Sequence, residues 1–185
     1  MKISIRDITL VSMFASLTAI GAFISVPVGP VPVTLQSIFV LLSGILIGPR
    51  LGALSQIVYI VLGLIGIPIF AGFTGGPQSL LKPSFGFLIG FIFSAYITGK
   101  IAHSHKRTSA KRIWLATLTG TITMYIFGLP YMYYILNIVL EKGLSFMTIM
   151  NMGCIIFLPG DIMKLILASI VGTRGQGICP TTGRH

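Results

Sequence analysis

The chain has 185 residues, of which 54% are hydrophobic and only 9% are charged. A soluble domain carries about 25% charged residues, so this composition excludes a water-covered surface and describes a single integral membrane unit whose polar backbone is satisfied internally. The net charge of +10 raises the question of nucleic acid, but the basic residues stand at the ends of apolar segments rather than on a solvated face, so no nucleic-acid partner is implied.

Six apolar spans follow one another, predicting an all-α integral membrane protein: a compact bundle of six transmembrane helices. The first, Ile8–Val26, has no cleavage site and reads as a retained span. It stops at "VPVGPVPVT", whose prolines cannot continue a helix. The second, Leu35–Gly48, has 14 residues against the roughly 20 that cross a bilayer, so it is tilted, capped by neighbours or continued by its loop. The third, Leu51–Ile67, ends at Pro68, and a Gly/Pro-rich loop runs to Ser84. The fourth, Phe85–Ile101, leads into the basic loop "HSHKRTSAKR". The fifth, Ile113–Leu140, is long enough to tilt or bend near "GLPYMYY". The sixth, Thr148–Gly172, is interrupted at Pro159-Gly160. Residues 1–172 thus form one membrane domain. Residues 173–185 show no periodicity and are expected to be a poorly ordered tail.

The basic residues orient the bundle. With the N-terminus inside, Lys2, Arg6, Arg50, Lys100, Lys106, Arg107, Lys111, Arg112, Arg174 and Arg184 share the inner side, leaving Lys82 and Lys142 outside. That excess predicts cytoplasmic N- and C-termini. His103 and His105 lie in the basic loop without metal-ligand spacing, so no metal is expected. Cys154 and Cys179 make no disulfide framework; Cys154 reads as a small packing residue.

Lys164 lies within a span, three residues after one of the chain's three acids, Asp161, in "FLPGDIMK". A charge at bilayer depth costs a few kcal/mol, about 2.5–3.5 on insertion scales, so such residues face protein or a wet cavity. The spacing of three puts both on one helical face. Thirteen residues separate Asp161 from Arg174, roughly 20 Å of helix at about 1.5 Å per residue, which places the acid in the outer half of the bilayer. The plain alternative is an ion pair that ties helices together. In the loop Ala71–Gly86, glycines permit close backbone approach, and Gln78, Ser79 and Ser84 add neutral polar groups; its length exceeds the usual helix connection. Its alternative is an ordinary connection. The apolar, proline-stiffened stretch Val26–Gln36 can act as a lid or merely as a rigid turn. Tyr133, within "YMYY", suits an amphipathic ligand or an interfacial belt. Ala15, Ala19 and Ala22 form a small-residue face on the first span, fit for docking another membrane subunit or for packing within the chain. No phosphate-binding glycine loop of the P-loop type occurs.

Together the motifs "VPVTLQ" (31–36), "GLIGIPIFAG" (63–72), "PSFGFLIGF" (83–91) and "FLPGDIMK" (157–164) resemble the biotin-specific S component of energy-coupling-factor transporters, the BioY family. They are spread in order over nearly the whole chain, and Gly160-Asp161-x-x-Lys164 is the most specific. Where the family has a threonine after the proline of the fourth span, this chain has Ser84, which keeps the hydroxyl. The resemblance implies a non-enzymatic, six-helix membrane subunit of a prokaryotic cell membrane that captures biotin from outside, with no cofactor. It implies partners in a coupling transmembrane subunit and two cytoplasmic ATPases, docked through Ala15, Ala19 and Ala22, and a subunit that topples in the bilayer. Biotin contacts are expected from Asp161, Lys164, Gln78, Ser84, Tyr133 and Thr34. Asp161 can accept the ureido N–H groups, while Lys164 can donate to the ureido carbonyl or to the carboxylate. The rival readings are an S component for another vitamin, a membrane enzyme using Asp161 and Lys164 as an acid–base pair, and a proton-coupled carrier. The last predicts an inverted repeat, which the sequence does not display.

Overall fold

The computed structural model describes residues 4–104 and 109–175. Lys2, His105, Lys106, Arg107, Cys179, Arg184 and the tail beyond residue 175 lie outside the described residues.

Helix α1, Ile5–Phe23, starts where Ser4 accepts a hydrogen bond from the Asp7 amide and the Asp7 carboxylate accepts one from the Ser4 amide, a reciprocal cap that satisfies two end donors. One of the three acids is therefore a helix cap. The chain then turns through two short antiparallel strands, β1 (Ser25–Val26) and β2 (Val33–Thr34), in the register Ser25 to Thr34 and Val26 to Val33. The prolines of the expected lid lie in and beside this hairpin. Helix α2, Gln36–Ile47, is joined to α3, Pro49–Leu64, by Gly48 alone, at φ +87°. A left-handed backbone there costs glycine nothing, and Pro49 opens the next helix.

The loop after α3 contains a single 3-10 turn, Pro77–Leu81, before α4, Phe85–Ala102. Helix α5, Ala110–Tyr134, holds Pro130 inside and runs on as a π-helical stretch, Ile135–Val139. The Asn137 side chain then closes the turn by pairing with both the amide and the carbonyl of Leu144 (2.7 and 2.8 Å). The final segment comprises α6 (Phe146–Met150), a π-helical stretch (Asn151–Ile155) and α7 (Leu158–Gly175). The interruption expected at Pro159-Gly160 falls three residues earlier, at Ile156-Phe157. Proline lacks an amide, so it is accommodated in the first turn of α7, where that amide would have no intrahelical partner.

Four stretches are long and apolar enough to cross a membrane: Ile5–Phe23, Phe85–Ala102, Ala110–Val139 and Phe146–Gly175. Helices α2 and α3 are apolar but shorter, at 12 and 16 residues. Together these make six apolar helical segments among the described residues, four of them of membrane-crossing length. The expected shortness of the second span is real, and the hairpin completes it: the Leu35 amide bonds to the carbonyls of Gly21 and Ile24 (3.1 and 3.3 Å).

The centre of the bundle lies between α1, α2, α3 and α4, around the fully buried Val40, Tyr59 and Ala95. Helices α2 and α4 touch backbone to backbone: a Cβ on Gly44 would stand 2.4 Å from the Ala95 carbonyl oxygen. A buried Gln56 donates to Ser55 (3.0 Å) and stands within 3.4–3.5 Å of Thr18 and Ser43, joining α1, α2 and α3 where water cannot compete. At one end, His103 Nε2 pairs with the Ile45 carbonyl (2.8 Å) and Gly172 packs on Ile45, so α2, α4 and α7 finish together. Arg50, Lys100, Lys111, Arg112 and Arg174 sit on helix ends at this side. The hairpin and the long loop gather at the opposite end.

The alanine face of α1 requires a correction. Ala15, Ala19 and Ala22 are buried within this chain, Ala22 completely, against α2 and α3, so they are not a docking surface. Small residues let helices close up, and here the partners are the chain's own helices. The outward face carries Ser12, Ser16 and Ile20 instead. Ala19→Trp should therefore destabilise the protein itself, by at least the 1–3 kcal/mol or so typical of overpacking. Ser16→Trp should leave the thermal midpoint in detergent close to wild type. Equal midpoints for the two variants would contradict the internal packing.

Candidate functional site

The hairpin, the loop of residues 68–84, the start of α4, the middle of α5 and the start of α7 converge on one cavity. Its charged wall is Asp161 with Lys164. Lys164 Nζ donates to Asp161 Oδ1 at 2.8 Å, with the two side chains 9% and 15% exposed. The second carboxylate oxygen accepts a hydrogen bond from the Tyr125 hydroxyl. Asp161 is thus held from both sides, by its own helix and by α5. Its amide is paired as well, to the Phe157 carbonyl (2.8 Å). The Pro159-Gly160 pair thus leaves this amide paired, and the side chains supply the polarity.

The opposite wall is neutral and polar. Thr34 donates to Gln36 Oε1 (3.0 Å), Gln36 Nε2 donates to the Tyr59 hydroxyl (2.7 Å), and Tyr59 donates to the Ile69 carbonyl (3.0 Å). This relay joins the hairpin, α2, α3 and the long loop. The hydroxyls of Ser37 and Ser79 also border the cavity, and both are buried without a hydrogen-bond partner. A buried unpaired hydroxyl costs about 1–3 kcal/mol, which a polar ligand can recover. Between the polar walls stand Phe70, Phe85, Phe87, Phe91 and Phe157, with Phe87 edge-on to Tyr125 at 6.0 Å. The arrangement suits a ligand with polar groups at separated positions and an apolar body between them.

The long loop is pinned rather than loose. Phe70 and Thr74 exchange backbone hydrogen bonds, and the Gly76 amide reaches the Gly63 carbonyl (2.7 Å). Tyr131 donates to the Leu80 carbonyl (2.6 Å), and Phe73, at φ +54°, stacks on Phe23 at 4.7 Å. Loop and hairpin together roof the cavity.

Of the residues expected at the site, Asp161, Lys164, Ser84 and Thr34 line this cavity. Gln78 does not: its amide turns back on the Gly75 carbonyl at the surface. Tyr133 does not either. Met132 takes the buried position on α5, and the next residue, about 100° round the helix, is 40% exposed on the outer side. Ser79, a polar residue of the candidate loop, also lines the cavity, whereas sequence reasoning missed Tyr125, Gln36 and Lys82. Tyr125 was discoverable from helical spacing, since it shares a face with Gly128 and Met132 at positions three and seven further on. No groups of His, Cys, Asp and Glu with metal-holding geometry occur among the described residues.

The charged pair yields a stability test. Lys164→Met leaves Asp161 buried beside Tyr125 alone, and breaking a buried pair costs about 3–5 kcal/mol. Adding Asp161→Asn should restore most of that loss, read as the midpoint of thermal unfolding in detergent. A double variant no more stable than Lys164→Met alone would contradict the pairing.

The chain is similar to known proteins along most of its length. The BioY family profile matches residues 1–180. A relative described as a probable biotin transporter BioY, from Pyrococcus horikoshii, is 38% identical over 172 residues, covering 93% of this chain and 97% of that protein. The biotin transporter BioY of Thermotoga maritima is 34% identical, covering 91% and 95%. Among solved structures, the S-component for biotin from an ECF-type ABC transporter superposes with a TM-score of 0.81 at 26% identity, covering 92% of this chain and 90% of that one.

Proposed function

The chain belongs to the BioY family, and from that membership we propose that it is the biotin-binding S component of an energy-coupling-factor transporter. It is a transport subunit rather than an enzyme, with biotin as its cargo. The observation that carries the biotin reading is the cavity: a buried acid flanked by donors, a neutral polar wall opposite, and aromatic rings between. The ureido ring has two N–H donors and a carbonyl, and it lies against Asp161 and Lys164. Asp161 takes a ureido N–H in place of, or alongside, the Tyr125 hydroxyl. Lys164 is already engaged by Asp161. Lys82 borders the same cavity from the long loop and has no carboxylate partner among the described residues, so it receives the biotin carboxylate. The thiophane and valeryl carbons pack on the phenylalanines.

Residues 1–172 act as one membrane domain. The loop end, with the cavity, faces outward, and the basic end faces the cytoplasm together with both termini, as the excess of lysine and arginine there supports. The protein resides in the cell membrane of a prokaryote. A coupling transmembrane subunit and two ATPases supply the energy for release inward, docking on surface other than the buried alanine face; the outward stripe of Ser12, Ser16 and Ile20 on α1 is available for it.

Two measurements test the reading. With labelled biotin and purified protein, Lys164→Met/Asp161→Asn should fold yet bind at least tenfold more weakly, since a hydrogen bond to a charged group contributes about 1.5–3 kcal/mol. Lys82→Met should weaken biotin to a similar degree but leave biotinamide, which has no carboxylate, unaffected. Normal binding by the double variant would remove the site assignment. An equal loss for both ligands in Lys82→Met would reassign the carboxylate partner.

Orientation is testable with single cysteines in a chain whose Cys154 and Cys179 are replaced by alanine. An impermeant maleimide added to intact cells should label Leu81→Cys and spare Ser104→Cys; the reverse pattern would invert the topology.

A further inference from the structure

Beyond the ligand cavity, a second and larger hollow of about 730 Å³ runs along the outer side of the bundle between α5 and the segment formed by α6, the π-helical stretch and α7. It is open sideways. Ile126, Leu129 and Pro130 form one wall, and Met150, Cys154 and Leu158 the other. Its only charged wall residue is Asp161, and Asp161, Tyr125 and Thr121 also border the ligand cavity. The groove and the cavity are thus separated only by side chains, the Tyr125–Asp161 hydrogen bond among them.

We propose that this groove holds one acyl chain of a bilayer phospholipid, which serves as the lateral wall of the ligand cavity. The proposal rests on the membrane-spanning reading above and goes beyond it. Three features select the occupant. Both walls belong to stretches long and apolar enough to cross a membrane, so hydrocarbon is the medium at the groove mouth. Water is a poor filling, because the polar groups of the groove floor are already engaged, Tyr125 with Asp161 and Thr121 with the Thr117 carbonyl. The groove is also elongated along the helices. From Leu118 to Tyr133 is roughly 22 Å at about 1.5 Å per residue, most of the roughly 30 Å hydrocarbon thickness. At the outward end stand Tyr133 and Phe146, aromatic residues of the kind that sit at headgroup level. A long, thin, apolar ligand aligned with the membrane normal fits this shape.

The test uses full-length protein in phosphatidylcholine nanodiscs doped with a phosphatidylcholine carrying a diazirine on its acyl chain. After photolysis, adducts are mapped by mass spectrometry. Several-fold enrichment is expected at Ile126, Leu129, Cys154 and Leu158 over lipid-facing positions elsewhere, such as Ile20, Phe93 and Ile170. Leu129→Trp, which fills the groove, should abolish that enrichment and leave labelling of Ile20 and Phe93 unchanged. Cys154→Phe, from the opposite wall, should do the same and serves if the first variant misfolds. Even labelling over all lipid-facing helices, or enrichment that persists in both folded variants, would overturn the proposal. Oxidative crosslinking of two chains through Cys154 without lipid adducts would instead assign the groove to a second copy, and adducts nowhere would overturn the membrane placement itself.

Discussion

A carboxylate placed among apolar helices is the constraint around which the rest of this protein is arranged. Asp161 loses the water that would stabilise its charge, and the fold replaces that water with an ammonium group from three residues along α7 and a hydroxyl from α5. The replacements come from different elements, so the same two interactions that stabilise the charge also fix α7 against α5 at this depth. A helix start carrying Pro159 and Gly160 gives α7 a fresh first turn just before Asp161, which keeps the acid at a helix N-terminus, where negative charge is favoured by the backbone dipoles.

The neutral wall is organised by a different principle. Thr34, Gln36 and Tyr59 hand hydrogen bonds from the hairpin through α2 to α3 and on to the loop at Ile69. Each donor in that relay has one good acceptor, so the groups hold one another in register before any ligand arrives. Ser37 and Ser79 are the exceptions, left without partners beside the cavity. The contrast separates scaffold from site: groups already paired keep the roof in place, and groups left unpaired are those a ligand can satisfy.

Much of this was legible in the residues. Charges inside apolar runs are rare enough that Asp161 and Lys164 identify themselves, and the proline and glycine breaks mark the spans. The site's other half was harder to see. Tyr125 is one aromatic in an apolar helix, and its significance comes from an acid 36 residues away, a proximity that only tertiary packing creates. Gln78 looked suitable because it is polar in a glycine-rich loop, but a side chain that can reach its own backbone often does. Tyr133 missed the cavity by a single position on a helix. The alanines of α1 show a deeper limit. The same small-residue spacing promotes close approach to any helix, so the pattern reveals that packing occurs without revealing whose helix is packed.

The brevity of α2 has a mechanical consequence. Its 12 residues make roughly 18 Å of helix, well short of the roughly 30 Å of a hydrocarbon core, and the remaining depth is filled by a hairpin and loop that carry polar groups. Neighbouring α5 and the final segment are instead longer than the hydrocarbon requires. Helix α2 itself is enclosed, but α3 beside it, at 16 residues or roughly 24 Å, turns Ile57 and Val61 outward, so one flank is thin, the other tall, and the body meets the bilayer unevenly. Lipids must stretch beside one face and compress beside the other, at fractions of a kcal/mol for each ångström of mismatch. The resting tilt of such a protein is then a property it shares with the lipid around it, and membrane thickness becomes one of the variables that set how readily it leans.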